Sequence, residues 1–239
     1  MAFNGIKFDT SVPGEIPWEI VAAYFIIATA VTFYLARKGN FRKFTTIDFV
    51  YIGLGAAFST VWEFYIGAFL SRLIPHTPFI SIGFWGRMFI IFIVAALVRK
   101  PGVGVTTLFV FDVLADLFHY GFGGQPLYFI YESLTYGLFI DMMIVATKGN
   151  LFGIGVNDGT VGVIRSPVVL AVVEGAIIGA LWGTPDPLLY YGFLRAFIYG
   201  AVVNWGFILY LLASYVPIDA VVGAIAAVAS SRVVKAVGQ

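Results

Sequence analysis

The sequence predicts an all-α fold, an integral membrane helix bundle, and three observations carry that expectation. The 239-residue chain is 60% hydrophobic and only 11% charged, where a soluble domain carries about 25% charged residues. Its mean hydropathy is +0.94. Several segments reach the roughly 20 apolar residues that cross a bilayer, and they are separated by short basic or glycine- and proline-bearing breaks. The length leaves room for a single transmembrane domain. A net charge of +1 without a basic patch gives no reason to expect nucleic acid as a partner. With no cysteine, thiolate metal sites and cysteine nucleophiles are excluded. The first 16 residues are polar and of mixed charge, unlike a cleavable signal.

Span 1 is expected at 17–36, with Pro17 suited to a first helical turn. The basic run 37–43 ends it, and span 2 follows at 46–70. Span 3 (84–98) stops at Arg99-Lys100-Pro101-Gly102, span 4 covers 104–120, and the glycine-rich 121–126 precedes span 5 at 127–147. A glycine-rich connection, 148–165, leads to span 6 at 166–182, which Gly183 to Pro187 ends, and span 7 occupies 188–214. The segment 217–237 has three placements: an eighth span, a helix on the cytoplasmic face, or a continuation of span 7 past Pro217. Lys and Arg favour the cytoplasmic side. Loops 37–43, 99–100 and 148–165 are therefore expected inside, and loops 71–83, 121–126 and 183–188 outside. An eighth span would put Arg232 and Lys235 outside, against that rule.

Ionisable side chains inside these spans mark the function, because a charge in hydrocarbon costs a few kcal/mol at least. Glu63, Arg87, Asp116, His119, Glu132 and Arg195 fall in the outer half, Asp112 and Glu174 nearer the middle, and Asp141 towards the cytoplasm. Asp112, Asp116 and His119 share one helical face by their i, i+4, i+7 spacing. Such a cluster can hold a cationic ligand, a metal ion or a proton path. The plain alternative is that the acids pair with Arg87 or Arg195. Tyr131 beside Glu132, and Trp62 beside Glu63, combine a ring with a carboxylate, which is how a delocalised organic cation is held. Asn204 and Trp205 are expected to line the same cavity. Small residues at four-residue spacing mark close helix contacts in span 2 (Gly53, Ala57), span 6 (Gly175, Gly179, Gly183) and the last segment (Gly223, Ala227, Ser231).

Enzyme signatures are poor. There is no HExxH, and no glycine-rich loop ends in Lys-Ser or Lys-Thr. Asp112-Val-Leu-Ala-Asp116 resembles the aspartate motif of membrane prenyltransferases, but a second aspartate-rich motif is missing. The expectation is a protein that is not an enzyme and needs no cofactor or metal.

Residues 45–215 resemble the substrate-binding S component of an energy-coupling factor (ECF) vitamin transporter, closest to the thiamine or hydroxymethylpyrimidine subgroup. The likeness rests on the small-residue helix TTIDFVYIGLGAAFST (45–60), VRKPG (98–102), the acid-bearing FVFDVLADLFHYG, a glycine-broken loop, and ESLTYGLFIDMMIV (132–145). It implies a six-helix core preceded by an extra N-terminal span, in the cell membrane. It implies a thiamine- or pyrimidine-like substrate, and as partners a membrane scaffold subunit and two coupling ATPases. Carried over, the substrate-binding residues are Trp62, Glu63, Asp116, His119, Tyr131, Glu132 and Asn204, and the docking face is Gly53, Ala56, Ala57 and Thr60. The alternative reading is a subunit of a larger membrane complex or a proton- or cation-conducting bundle, with Asp112, Glu174 and Asp141 as an inner relay.

Overall fold

The computed structural model describes residues 2–3, 6–7, 12–38, 44–74, 77, 79–156 and 166–238. Most of the expected basic run 37–43 and the second half of the connection 148–165 lie outside the described residues. Among the described residues, a two-residue antiparallel hairpin, β1 (Ala2–Phe3) with β2 (Ile6–Lys7), precedes seven helices. They are α1 (Trp18–Lys38), α2 (Thr46–Ser71), α3 (Ile82–Val98), α4 (Val103–Phe118), α5 (Pro126–Ala146), α6 (Pro167–Tyr199) and α7 (Trp205–Ala236). Five of them, α1, α2, α5, α6 and α7, are long and apolar enough to cross a membrane. Large apolar side chains such as Ile26, Phe33, Phe58 and Leu209 point outward, while Arg87, Asp112, Asp141 and Asp219 are buried. A charged interior under an apolar surface inverts the soluble pattern. This is the architecture of a multi-pass membrane protein.

Local chemistry sets the helix ends. Thr45 and Asp48 form a reciprocal capping box at the start of α2, and Lys100 pairs with the same Asp48 carboxylate. α3 ends on Arg99 in the left-handed conformation, and Gly102 (φ +97°) turns the chain straight into α4. Asp141 on α5 accepts from the N–H groups of Gly104 (2.9 Å) and Val105 (3.0 Å) and so caps α4 from a neighbouring helix. The α4 and α5 backbones touch there: a Cβ on Gly104 would fall 2.3 Å from the Gly137 carbonyl oxygen. α1 lies on the outside of the bundle against α5, where the Tyr24 hydroxyl donates to the Leu134 carbonyl (3.1 Å).

The last third of the chain differs from the expectation. Gly183 to Pro187 does not form an external loop. The backbone at Gly183 and Pro185 stays in the right-handed helical region, and α6 continues to Tyr199. Gly200 (φ +65°) ends α6, and Asn204 starts α7 by accepting from the Phe207 N–H (3.1 Å). α7 runs unbroken through Pro217, so the continuation past Pro217 is the alternative that holds, with the preceding break at 200–204 rather than 183–188. α6 and α7 are one long antiparallel hairpin: Gly175 meets Ala227, Gly179 meets Asp219, Gly183 meets Val216, and Tyr191 packs edge-on to Phe207. A Cβ on Gly179 would sit 2.0 Å from the Asp219 carbonyl oxygen, so the small-residue face of span 6 serves this contact. An interior proline costs a helix about 3 kcal/mol in isolation. The extended close packing of α6 on α7 offsets that cost.

The hairpin also removes the charge conflict. Gly149 lies beside the Arg99 carbonyl, Gly153 against Pro167, and Gly175 against Ala227. The ends carrying Arg99 and Lys100, Lys148, and Arg232 and Lys235 are therefore on one side of the bundle. At the opposite end, the Trp205 indole donates to the Gly14 carbonyl (2.8 Å) and Ile16 N–H to the Gly192 carbonyl (2.9 Å).

Candidate functional site

Arg87, in the second turn of α3, is 3% exposed. Its Nη1 donates to Glu132 Oε2 at 2.5 Å, and its Nε lies 3.0 Å from Glu63 Oε2. The second contact is a close ion pair that is not aligned as a hydrogen bond. The guanidinium also lies over the rings of Phe111 (4.8 Å) and Phe84 (5.1 Å). A buried guanidinium is tolerated only when it is paired, and two helices supply its partners. The pairing of outer acids with Arg87 is thus realised for Glu63 and Glu132, so two carboxyl groups meet one guanidinium.

Two further acids join them. α6 brings Asp186 and α7 brings Asp219 to a cavity of about 230 Å³ that Glu63, Arg87 and Glu132 also line. The Trp85 indole N–H, at 2.9 Å, partly offsets Asp219. Four carboxylates therefore face one guanidinium. The walls are rings: Phe84, Trp85, Tyr131, Tyr136, Trp182 and Tyr215. The wall is braced by Trp182 Nε1, which donates to the Tyr136 carbonyl (3.0 Å), and by the Tyr131 and Tyr136 hydroxyls 3.3 Å apart. The volume lies just below the range of about 300–1,000 Å³ usual for ligand pockets, which suits a compact ligand.

The three helices that supply Glu63, Glu132 and Asp186 all depart from α-helical geometry at the cavity. π-Helical turns occupy Trp62–Gly67 in α2, Ser133–Gly137 in α5 and Asp186–Leu194 in α6. Such turns are rare, cost backbone hydrogen-bond quality, and recur at functional sites because one extra residue per turn re-aims the side chains. Here they converge on one place from three directions.

A second cavity, of about 180 Å³, adjoins the first and shares Tyr131, Glu132 and Asp186 with it. Asp112 and Asp116 line it. Asp116 also holds the loop after α4, accepting from the Gly124 N–H at 2.7 Å.

Of the residues singled out in the sequence, Glu63, Arg87, Tyr131 and Glu132 meet at the main cavity, and Asp112 and Asp116 line the second. The others lie elsewhere. The Trp62 indole covers Gly86 and donates to the Ile82 carbonyl (3.0 Å). His119 stacks on Phe64 with ring centres 4.3 Å apart and is exposed. Asn204 caps α7, and Arg195 stands over Tyr191. Ala56 and Thr60 are buried inside the bundle, Ala57 is half-buried, and a Cβ on Gly53 would meet nothing within 4 Å. Sequence reasoning misses Asp186 and Asp219: the first falls in an expected loop, the second in the segment of open placement. A signal is present at Asp219, a lone carboxylate in an apolar run, the same pattern that flags Asp112. Among the described residues no three His, Asp or Glu side chains are placed to share a metal ion.

Compared with known protein families, curated proteins and solved structures, the chain matches none, so the geometry of this site carries the functional reading.

Proposed function

We propose that this protein is a membrane-embedded binding protein for a small organic cation, which enters from the end opposite the basic loops. The observation that carries this reading is the main cavity itself: four carboxylates against one guanidinium, enclosed by aromatic faces. Rings attract a delocalised cation through their quadrupoles, and unneutralised carboxylates supply the matching charge. Buried carboxylates without a partner are neutralised by protons or by a positive guest, and the aromatic walls suit the guest. By the positive-inside rule the end bearing Lys100, Lys148, Arg232 and Lys235 is cytoplasmic, so the cavity belongs to the outer half.

In its finer form the proposal is the one the sequence resemblance implies: the substrate-binding S component of an ECF transporter, taking up a thiamine- or pyrimidine-like vitamin or precursor and working with a scaffold subunit and two ATPases. Among the described residues six helices, α2 to α7, follow α1, which is the number the resemblance implies, with the last running to Ala236, past the residues 45–215 that carry the resemblance. The relay reading has less support. Asp141 is taken up by the Gly104 and Val105 N–H groups and Glu174 by the Phe152 N–H (2.5 Å), and neither lines the two cavities.

Calorimetric titration of the purified protein with thiamine and with hydroxymethylpyrimidine tests the proposal. The expected result is binding tighter than about 1 μM for one of them, equivalent to about −8 kcal/mol. That binding should weaken at least tenfold in Asp219→Asn and in Glu132→Gln. Unchanged affinity in both variants would remove the cavity from the binding site. Copurification of a membrane scaffold with two ATPases supports the transporter form.

A further inference from the structure

The second cavity goes beyond that reading. Asp112 reaches it from α4, is only 5% exposed, and its Oδ2 is buried with no hydrogen-bond partner among the described residues. A buried carboxylate oxygen without a donor is costly, and every other carboxylate around this cavity has a partner or shares the main cavity. Asp116 holds Gly124, Glu132 holds Arg87, and Asp186 lines both cavities. Among the described residues no Lys or Arg lines the second cavity, and Arg87 is already committed to Glu63 and Glu132. A carboxylate so placed is neutralised either by a proton or by a cation from outside the chain, and the oxygen-rich lining of this cavity offers a cation further ligands.

The remaining lining chemistry indicates what kind of cation fits. Tyr120, Tyr128, Tyr190 and Gln125 bring side chains with neutral oxygens to the lining of the cavity that Asp112 enters. Oxygen donors suit hard cations and ammonium groups rather than soft metals. Four carboxylates line the cavity, but among the described residues no three acids or imidazoles are placed to share one metal ion, which disfavours a divalent ion held by protein ligands. We propose that the second cavity is a separate cation site, anchored by the Asp112 carboxylate, for a compact monovalent cation: an alkali ion or a primary ammonium group. The shared wall of Tyr131, Glu132 and Asp186 places this cation beside the organic ligand of the main cavity, where each alters the field that the other meets.

The test is equilibrium dialysis of the full-length protein in lipid nanodiscs against radiolabelled sodium ion and, separately, labelled methylammonium. N-methyl-D-glucamine chloride holds the ionic strength constant. One saturable site for either probe is expected, and the probe that binds distinguishes an alkali ion from an ammonium group. Asp112→Asn should weaken it about tenfold or more, the loss that follows removal of a charged hydrogen-bond acceptor. If that variant does not fold, the double variant Tyr128→Phe with Tyr190→Phe, which strips two neutral oxygens, should weaken binding severalfold. No saturable binding of either probe overturns the proposal. So does wild-type affinity in Asp112→Asn, or a site that survives Asp112→Asn and is lost in Glu63→Gln, which would place the cation in the main cavity.

Discussion

The two ends of the bundle bury the same residue types and treat them differently. At the basic end, Asp48, Asp141 and Glu174 are each satisfied from within the chain, by the α2 capping box and Lys100, by two N–H groups of α4, and by the Phe152 N–H. At the other end, Glu63, Glu132, Asp186 and Asp219 line one cavity whose single guanidinium pairs with the first two, and Asp112 Oδ2 has no partner among the described residues. The helices at the basic end are regular, whereas three of those at the cavity contain π-helical turns. A carboxylate within a membrane span is therefore not in itself a functional marker. What separates a structural acid from a ligand-binding one is whether the fold supplies its donors.

Substitutions at each end can break this comparison. The largest effect is expected at Arg87. Arg87→Met leaves Glu63 and Glu132 facing each other unpaired and should cost about 3–5 kcal/mol, read as loss of folded protein in detergent or a large fall in Tm. Next comes Asp141→Ala, which strips two buried N–H groups of their acceptor and should cost about 2–3 kcal/mol. Asp112→Asn should leave the Tm within a few degrees, because Asp112 Oδ2 accepts no hydrogen bond from the described residues. Equal losses in these two variants would erase the distinction between the ends. Gly179→Ala forces a Cβ into the Asp219 backbone and should cost about 1–3 kcal/mol by parting α6 from α7. Asp219→Asn should change stability little and ligand affinity about tenfold, which calorimetry beside a melt separates. The smallest effect is expected for Gly53→Ala, whose Cβ meets nothing within 4 Å and should change stability by under about 0.5 kcal/mol. A loss of partner copurification in that variant alone would mark Gly53 as part of a docking face.

Much of the helix layout is legible in the sequence. The first five spans, expected at 17–36, 46–70, 84–98, 104–120 and 127–147, lie within two residues of α1 to α5 at each boundary. Proline and glycine mislead at 183–187, where their pattern is that of a turn. There Gly183 is needed for the approach to Val216, and the two prolines sit in the first turn of a restarted helical segment, where a missing N–H costs little. The true reversal, Gly200 to Asn204, is apolar enough to pass for helix. Depth along the spans brings Glu63, Tyr131 and Glu132 together, because the expected positions of α2, α3 and α5 match the fold. Asp186 and Asp219 escape because their depth follows from the misplaced reversal.

Hydropathy and charge, which add up along the chain, are enough to establish a helical membrane protein with its basic loops on one side and acids within its spans. Packing decides which of those acids are spoken for. A carboxylate's partner comes from another helix, as Gly104 does for Asp141 and Arg87 for Glu132. The excess of carboxylates left at the cavity is a sum over five helices, and no single stretch of sequence contains it.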